Sequence, residues 1–335
     1  MSVVIVHQVG PGVTVQDTGR AGYLALGLSR GGAVDRMALA EGAALLGQPV
    51  GAALEMAGMG GRFEVTAPTR IALTGAPMRA SLDGAALAWN ASHLLLAGGM
   101  LDIGGATSGV YGYLSFGGTL ATPTLLGGQG VHLAAGLGRA VAAGDRLAIG
   151  PDTGTVTGQG LKVAPRWDGG ILRVLPSLQT DLFTQAQRDR FESTTLLRDS
   201  RGNRMGVRLQ PEGEGFGLTA GGTILSEVIT PGDIQIPGDG APYVLLAECQ
   251  TTGGYPRIGT VIPADLPRVA QTSAGTALRF RFVTLEEALM AERAYRKHLA
   301  DLTRSRFALV RDPHDISDLL SYTLISGVTA GEDPL

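Results

Sequence analysis

Gly150-Pro151-Asp152-Thr153-Gly154, running on to Arg166-Trp167-Asp168-Gly169-Gly170, is the stretch on which the fold turns. It is rich in Gly, Thr and Pro and carries no apolar period, so it reads as a linker or a long rim loop. Before it lies a β-rich half, in which Ile71-Ala72-Leu73, Leu94-Leu95-Leu96 and Ala148-Ile149 are short apolar runs fenced by glycines. Asp83-Gly84 has the chemistry of a type I′ hairpin turn between Met78–Leu82 and 85–89. After the break the pattern restarts with Ile171-Leu172-Arg173-Val174-Leu175. A parallel α/β fold needs a helical pattern after almost every strand, and none is present. The expected fold is mostly β: two closed or nearly closed β-barrels over 1–155 and 165–305, few short helices, one C-terminal helix, and a tail over 306–335.

Three helices are expected. Asp35 caps one whose apolar positions Met37, Ala38, Leu45 and Leu46 end at Gly47. Thr180 caps a second around Leu182, Phe183, Ala186 and Phe191. The strongest spans 284–302, where Thr284 and Glu287 have capping-box spacing and Leu285, Ala288, Leu289, Tyr295, Leu299 and Leu302 share a stripe. From about Arg311 an acidic tail with Asp312, Asp315 and Asp318 is either loosely held or docked on a partner.

Composition sets the class. With 44% hydrophobic and 17% charged residues the chain has ample material for sizeable cores. Glycine, at 51 of 335 residues, is about twice its usual share and scattered, which suits many strands joined by tight turns. A net charge of -3 and the lack of any dense Lys/Arg stretch argue against nucleic acid. One cysteine, Cys249, leaves no internal disulfide and fits a reducing, cytoplasmic setting. The N-terminus reads as a first strand rather than a signal peptide, and no apolar run is long enough for a membrane span.

Several chemistries are set aside on residue grounds. There is no phosphate-binding G-x-x-x-x-G-K-[ST] loop, and neither Lys162 nor Lys297 stands in a Met-Lys-Met context that would carry biotin. His7, His93, His132, His298 and His314 lie far apart without ligand spacing, so no metal is expected and they read as isolated surface or strand-end residues. If 244–250 is a strand, Leu245, Ala247 and Cys249 share one face while Leu246, Glu248 and Gln250 share the other. Cys249 is then a buried, inert thiol.

Three clusters offer chemistry. In the first, Gln16-Asp17-Thr18-Gly19-Arg20 precedes Arg30-Gly31-Gly32-Ala33-Val34-Asp35. Arg20 either folds back on Asp17 or aims a fork of donors at a carboxylate or phosphate. In the second, Arg201, Arg204 and Arg208 surround two glycines, and Gln235 is a lone amide between Ile234 and Ile236 that either reads a ligand or bridges backbone. The third, Gln250-Thr251-Thr252-Gly253-Gly254-Tyr255-Pro256, sets three hydrogen-bonding side chains beside a double glycine, so that a planar polar ligand can approach the backbone. Tyr255 would close over that ligand; the alternative is an ordinary polar hairpin.

In order, the motifs Gln16-Asp17-x-Gly19-Arg20, Gly32-Ala33-x-Asp35, Leu54-Glu55, Gly112-Tyr113-Leu114-x-Phe116-Gly117-Gly118, Arg204-Met205-Gly206-x-Arg208-Leu209, Ser226-Glu227, Pro231-Gly232-x-Ile234-Gln235 and Gln250-Thr251-Thr252-Gly253-Gly254-Tyr255-Pro256 resemble one family. It is the KipA-type, biotin-dependent carboxyltransferase-like family, also called allophanate hydrolase subunit 2, and the likeness runs from about Val13 to Ala288. Glu248-Cys249 stands where the family pattern has Asp-Arg.

The resemblance implies two cyclophilin-like β-barrel domains, a KipI-type partner subunit and a LamB/YcsF-type partner subunit. It implies first an ATP-dependent 5-oxoprolinase complex opening a lactam to glutamate, with ATP a cofactor of the whole complex. A second implied role is carboxyl transfer from carboxybiotin, held in trans, to urea or a related amide; a third is non-catalytic antagonism of a kinase inhibitor. On the first reading Arg20 and Arg204 bind anionic groups, and Gln16, Gln235, Gln250, Thr251, Thr252, Gly253 and Tyr255 contact the substrate. Asp17, Asp35 or Glu227 serves as the catalytic general base.

Overall fold

In the computed structural model, which describes residues 2–218 and 224–310, the first strand shows how the β-rich pattern works. Val3–Val9 buries Val4 and Val6 while His7 and Gln8 face solvent, and its register slips by a bulge between Val6 and Gln8. The strands of the first half divide between two sheets. One orders Arg146–Ala148, Val3–Val9, Gly61–Val65, Met100–Ala106, Met78–Leu82 and Ala85–Ala86. The other orders Thr14–Gln16, Ala53–Ala57, Tyr111–Phe116, Thr69–Gly75, Ala91–Leu95, Gln159–Leu161 and Arg306–Ala308. Between them Val4, Val6, Phe63 and Leu101 pack against Leu54, Ile71, Leu114 and Phe116.

The second half closes. Its seven strands run Gly170–Leu175, Arg257–Val261, Asp233–Gln235, Tyr243–Leu245, Gly206–Pro211, Leu196–Asn203 and Ala277–Phe282, and the last pairs in parallel with the first. Closure removes the free edges that an open sheet would leave. Among the described residues, therefore, the expectation of a closed barrel holds for this half, whereas the first half is a pair of sheets without a continuous ring.

Four α-helices accompany the strands among the described residues. α1, Arg36–Leu46, begins where the Ala38 amide donates to Asp35 Oδ1 at 3.1 Å and ends at Gly47 in the left-handed conformation. α2 is Gln185–Ser193, capped by Thr184 rather than by Thr180. Thr180 heads only a single 3-10 turn, because its hydroxyl donates to the Ile258 carbonyl at 2.8 Å and accepts the Ser177 amide at 2.7 Å. α2 places Phe191 in a stack on Phe280, with ring centroids 4.9 Å apart. α3 is Leu266–Gln271, and α4, Leu285–Asp301, carries both bonds of the expected Thr284/Glu287 capping box. The Asp83-Gly84 hairpin is also present, both residues having positive φ, although its second strand is only Ala85–Ala86.

The glycine-rich break is more ordered than a linker. Gln159–Leu161 pairs with Arg306–Ala308, so the first residues of the expected tail return to the first half as an edge strand. The acidic residues Asp312, Asp315 and Asp318 lie outside the described residues. Arg70 pins the start of the break, clasping Asp152 through Nε at 2.8 Å and Nη2 at 2.6 Å, and donating to the Leu46 and Val156 carbonyls.

This clasp holds the Asp152 carboxyl below the usual carboxylate range. With a folded pKa below the unfolded one, the pair contributes stability above the ordinary aspartate range and loses it as pH falls through the depressed folded value. Below about pH 5 wild type should lose stability faster than Asp152→Asn, which a series of urea titrations at falling pH measures. Parallel curves would exclude this role for Asp152.

Arg166, at the end of the break, ties the halves together. It donates to Asp35 at 2.7 Å and to both oxygens of Glu41 at 2.8 Å. Burial pushes the Glu41 carboxyl up, against the pull of Arg166. From the second half, Gln271 donates to Asp35 at 2.8 Å and to the Tyr111 carbonyl at 2.7 Å. One apolar cluster then runs across the junction, joining Ala33, Leu39, Tyr111 and Tyr113 to Val207, Leu246 and Val269.

Candidate active site: a cleft between the two halves

The cleft is built on Arg204, carried at the tip of the hairpin between Leu196–Asn203 and Gly206–Pro211. Its buried guanidinium pairs through Nη1 with Glu55 of the first half. Nε donates to Glu248 at 2.7 Å and Nη2 to the Gly32 carbonyl at 2.7 Å. The second oxygen of Glu55 accepts the Tyr113 hydroxyl at 2.6 Å and the Val34 amide at 2.9 Å. Burial, with Glu55 next, pushes the Tyr113 phenol far above its ordinary value, so it stays protonated and donates. Every nitrogen of Arg204 is therefore engaged inside the protein, and its role here is to join the halves.

Two loops of the first half meet at this hub. The Arg20 amide donates to the Arg30 carbonyl at 2.7 Å and the Ala33 amide to the Asp17 carbonyl at 2.8 Å. Such an approach requires glycine: at Gly32, φ is +77° and a Cβ would lie 2.4 Å from the Gly19 nitrogen. Gly32→Ala is expected to cost about 2–4 kcal/mol, from left-handed strain and a backbone clash that no rotamer relieves. The midpoint of urea unfolding reads this, and an unmoved midpoint would show that the loops part without cost.

Beside the hub lies an open cleft of about 420 Å³. Gly27, Leu28, Ser29, His132 and Ala135 form its first-half wall, and Glu248, Gln250, Thr251 and Thr252 face them from the second half. Ser29 and His132 are both buried, with Ser29 Oγ 2.9 Å from His132 Nε2. His132 Nδ1 accepts the Ala135 amide at 3.2 Å, which assigns the ring proton to Nε2 and makes Ser29 Oγ the acceptor. Burial lowers the His132 pKa, with Glu248 opposing, so the ring is neutral at neutral pH. In this tautomer His132 cannot take the Ser29 proton. The pair is not a nucleophile with its base; it presents the serine hydroxyl as a donor. Glu248 completes the wall, its second oxygen accepting the Ala134 amide at 3.2 Å.

The structure brings together Gln250, Thr251 and Thr252 and leaves other candidates elsewhere. The Tyr243 strand ends at Leu245 and turns at Ala247 and Glu248, so side-chain alternation does not extend to Gln250. Cys249 therefore borders the cleft as well, against the expectation that it faces away, but it packs with Ile229 and Leu245 and burial pushes its thiol up to about 12. Gly253 lies over Gln235, whose Nε2 would sit 2.4 Å from a Cβ at that position and has no partner among the described residues. Tyr255 is 52% exposed and is not part of the cleft wall. Gln16 donates to Thr14 and to the Val131 carbonyl, each at 3.0 Å.

The three candidate bases are dispersed. Asp35 is wholly buried, with both oxygens engaged by the α1 cap, Arg166 and Gln271. Asp17 accepts the Gly19 and Gln129 amides at 2.8 and 2.7 Å. Glu227 pairs with Arg257 at 2.5 Å and Gln179 at 2.8 Å. Arg20 does not fold back on Asp17; its guanidinium donates to the Leu125, Gly128 and Gly130 carbonyls and faces a different cavity. His132 and Ser29 carry no spacing signal in the sequence, being 103 residues apart, and His132 is buried rather than at the surface.

The described residues form a mostly β chain whose two parts meet at a polar cleft. Residues 26–282 match the model of the family described as carboxyltransferase domain, subdomain A and B, and the chain belongs to that family. Over 302 residues it is 35% identical to the C subunit of 5-oxoprolinase from Escherichia coli, covering 88% of this chain and 96% of that protein. The protein of the same name from Haemophilus influenzae is 32% identical over 296 residues, covering 87% and 94%. The crystal structure of TTHA0988 superposes with a TM-score of 0.77 and 29% identity; it covers 84% of this chain, which spans 55% of that one. Among the described residues no helix is long and apolar enough to cross a membrane.

Proposed function

We propose that this chain is a subunit of an ATP-dependent 5-oxoprolinase complex and that its cleft contributes to the site where the lactam of 5-oxo-L-proline is opened to L-glutamate. The observation that carries this reading is the 35% identity to the E. coli protein of that name across 96% of its length. The partners are the KipI-type and LamB/YcsF-type subunits, ATP enters at the level of the complex, and the assembly is cytoplasmic. The two halves correspond to cyclophilin-like units over 1–155 and 165–305, with Arg306–Ala308 returning to the first as an edge strand.

The chemistry asks for neutral donors beside a carboxylate. ATP phosphorylates the lactam oxygen, releasing ADP and making the ring carbon electrophilic. Water adds there, and the C–N bond breaks as the ring nitrogen takes a proton, leaving an acyl phosphate. A second water releases phosphate and glutamate. Gln250, Thr251 and Thr252 orient the planar amide, the Ser29 hydroxyl donates to the developing oxyanion, and Glu248, held by Arg204 and the Ala134 amide, fixes a carboxylate at the wall.

The test is reconstitution. Purified with both partner subunits, the chain should release glutamate from 5-oxo-L-proline with ATP, and omitting the chain should stop release. No glutamate with all subunits present removes the reading. The family's description as a carboxyltransferase domain favours a second one, carboxyl transfer from carboxybiotin in trans to urea or a related amide. Carboxylation of urea with a biotin carrier, in place of glutamate release, would select it.

A further inference from the structure

We infer that a second cavity, in the first half and separate from the cleft, binds a small organic monocarboxylate with an apolar body. It measures about 420 Å³ and has Arg20 and Thr122 on its wall beside Val15, Val131, Val141 and Leu147. The inference does not rest on the reading of the cleft.

Charge carries the argument. Arg20 is 3% exposed, and Nε donates to the Leu125 carbonyl at 2.8 Å. Nη2 donates to the carbonyls of Gly128 at 3.2 Å and Gly130 at 2.7 Å. These acceptors are neutral, and Nη1 is buried with no partner among the described residues. An arginine cannot shed its proton inside a protein, so a buried guanidinium surrounded by carbonyls calls for an anion. The nearby acids are committed: Asp17 to the Gly19 and Gln129 amides, and Asp145 to Arg139, which clasps both its oxygens at 2.7 and 2.8 Å. Arg146 lines the same cavity, so three arginines there face one paired carboxylate.

Donors and lining together narrow the anion. Thr122 Oγ1 is the second buried polar atom of this wall without a partner among the described residues. Arg20 Nη1 and this hydroxyl are the buried donors left free at this wall among the described residues, and its apolar lining favours a carboxylate on an apolar body over inorganic phosphate. The valines and Leu147 receive the ligand's apolar body. The wall is shaped around the arginine: a Cβ at Gly128 would lie 2.8 Å from Arg20 Cγ.

Calorimetric titration of the full chain with benzoate, and with its uncharged isostere benzamide, tests this. Benzoate should saturate and bind at least about 10-fold more tightly than benzamide. Thr122→Val should weaken benzoate by about fivefold, the worth of one hydrogen bond. Arg20→Gln should abolish binding; should it fail to fold, the Thr122→Val and benzamide results decide alone. Binding should persist in Gln250→Ala, which lies in the cleft. Equal binding of the two probes, no effect of Thr122→Val, loss in Gln250→Ala, or inorganic phosphate binding more tightly than benzoate would each overturn the assignment.

Discussion

Arg204→Met is expected to cost about 3–5 kcal/mol of folding stability, because it strands two buried carboxylates. Glu55 is 1% exposed and Glu248 3% exposed, and both take their charge-paired bond from this one guanidinium. The cost arises from the uncompensated charges left behind rather than from the intrinsic strength of the ion pairs. Neutralising the partners should therefore recover much of it: the triple variant Glu55→Gln, Arg204→Met, Glu248→Gln should be more stable than Arg204→Met alone. Urea unfolding of the four proteins, including Glu55→Gln with Glu248→Gln, closes the comparison. An Arg204→Met protein within about 1 kcal/mol of wild type would show that water reaches the junction and that the halves do not depend on it.

The second large effect concerns turnover. In the assembled complex, Gln250→Ala combined with Thr251→Val should lower kcat/KM by about 100-fold, as removal of orienting and oxyanion-stabilising donors does elsewhere. Thermal stability should be nearly unchanged. Gln250 is exposed, and the backbone bonds of this segment, such as the Ile229 amide to the Thr251 carbonyl at 3.0 Å, remain in the variant. Glutamate release across a range of 5-oxo-L-proline concentrations separates a change in KM from one in kcat. Wild-type turnover in the double variant would remove this wall from the chemistry.

The two effects separate two kinds of residue that the sequence presents alike. Arg204 and Gln250 both stand in glycine-flanked polar motifs, and both read as substrate contacts. In the folded chain Arg204 is consumed in joining the halves, whereas Gln250 borders an open cleft. Asp35 follows Arg204: its α1 cap is legible from the residues after it, but the Arg166 and Gln271 bonds that seal it come from 131 and 236 residues away.

What was legible in the sequence is what short stretches of chain decide. The Asp83-Gly84 turn, the Asp35 and Gly47 ends of α1 and the Thr284/Glu287 box each depend on backbone groups within a few residues, so composition and spacing are enough. The Thr180 cap failed because a distant strand claimed the same hydroxyl, leaving Thr184 to start α2. By itself the sequence determined a mostly β chain in two parts, its family, and a polar, glycine-bounded segment at 250–256. Only the tertiary structure decided that the second half closes into a barrel while the first forms two sheets, that Ser29 meets His132, and that Arg20 faces its own cavity. Strand closure and buried charge pairing are set by which surfaces exclude water together, and no spacing along the chain records that.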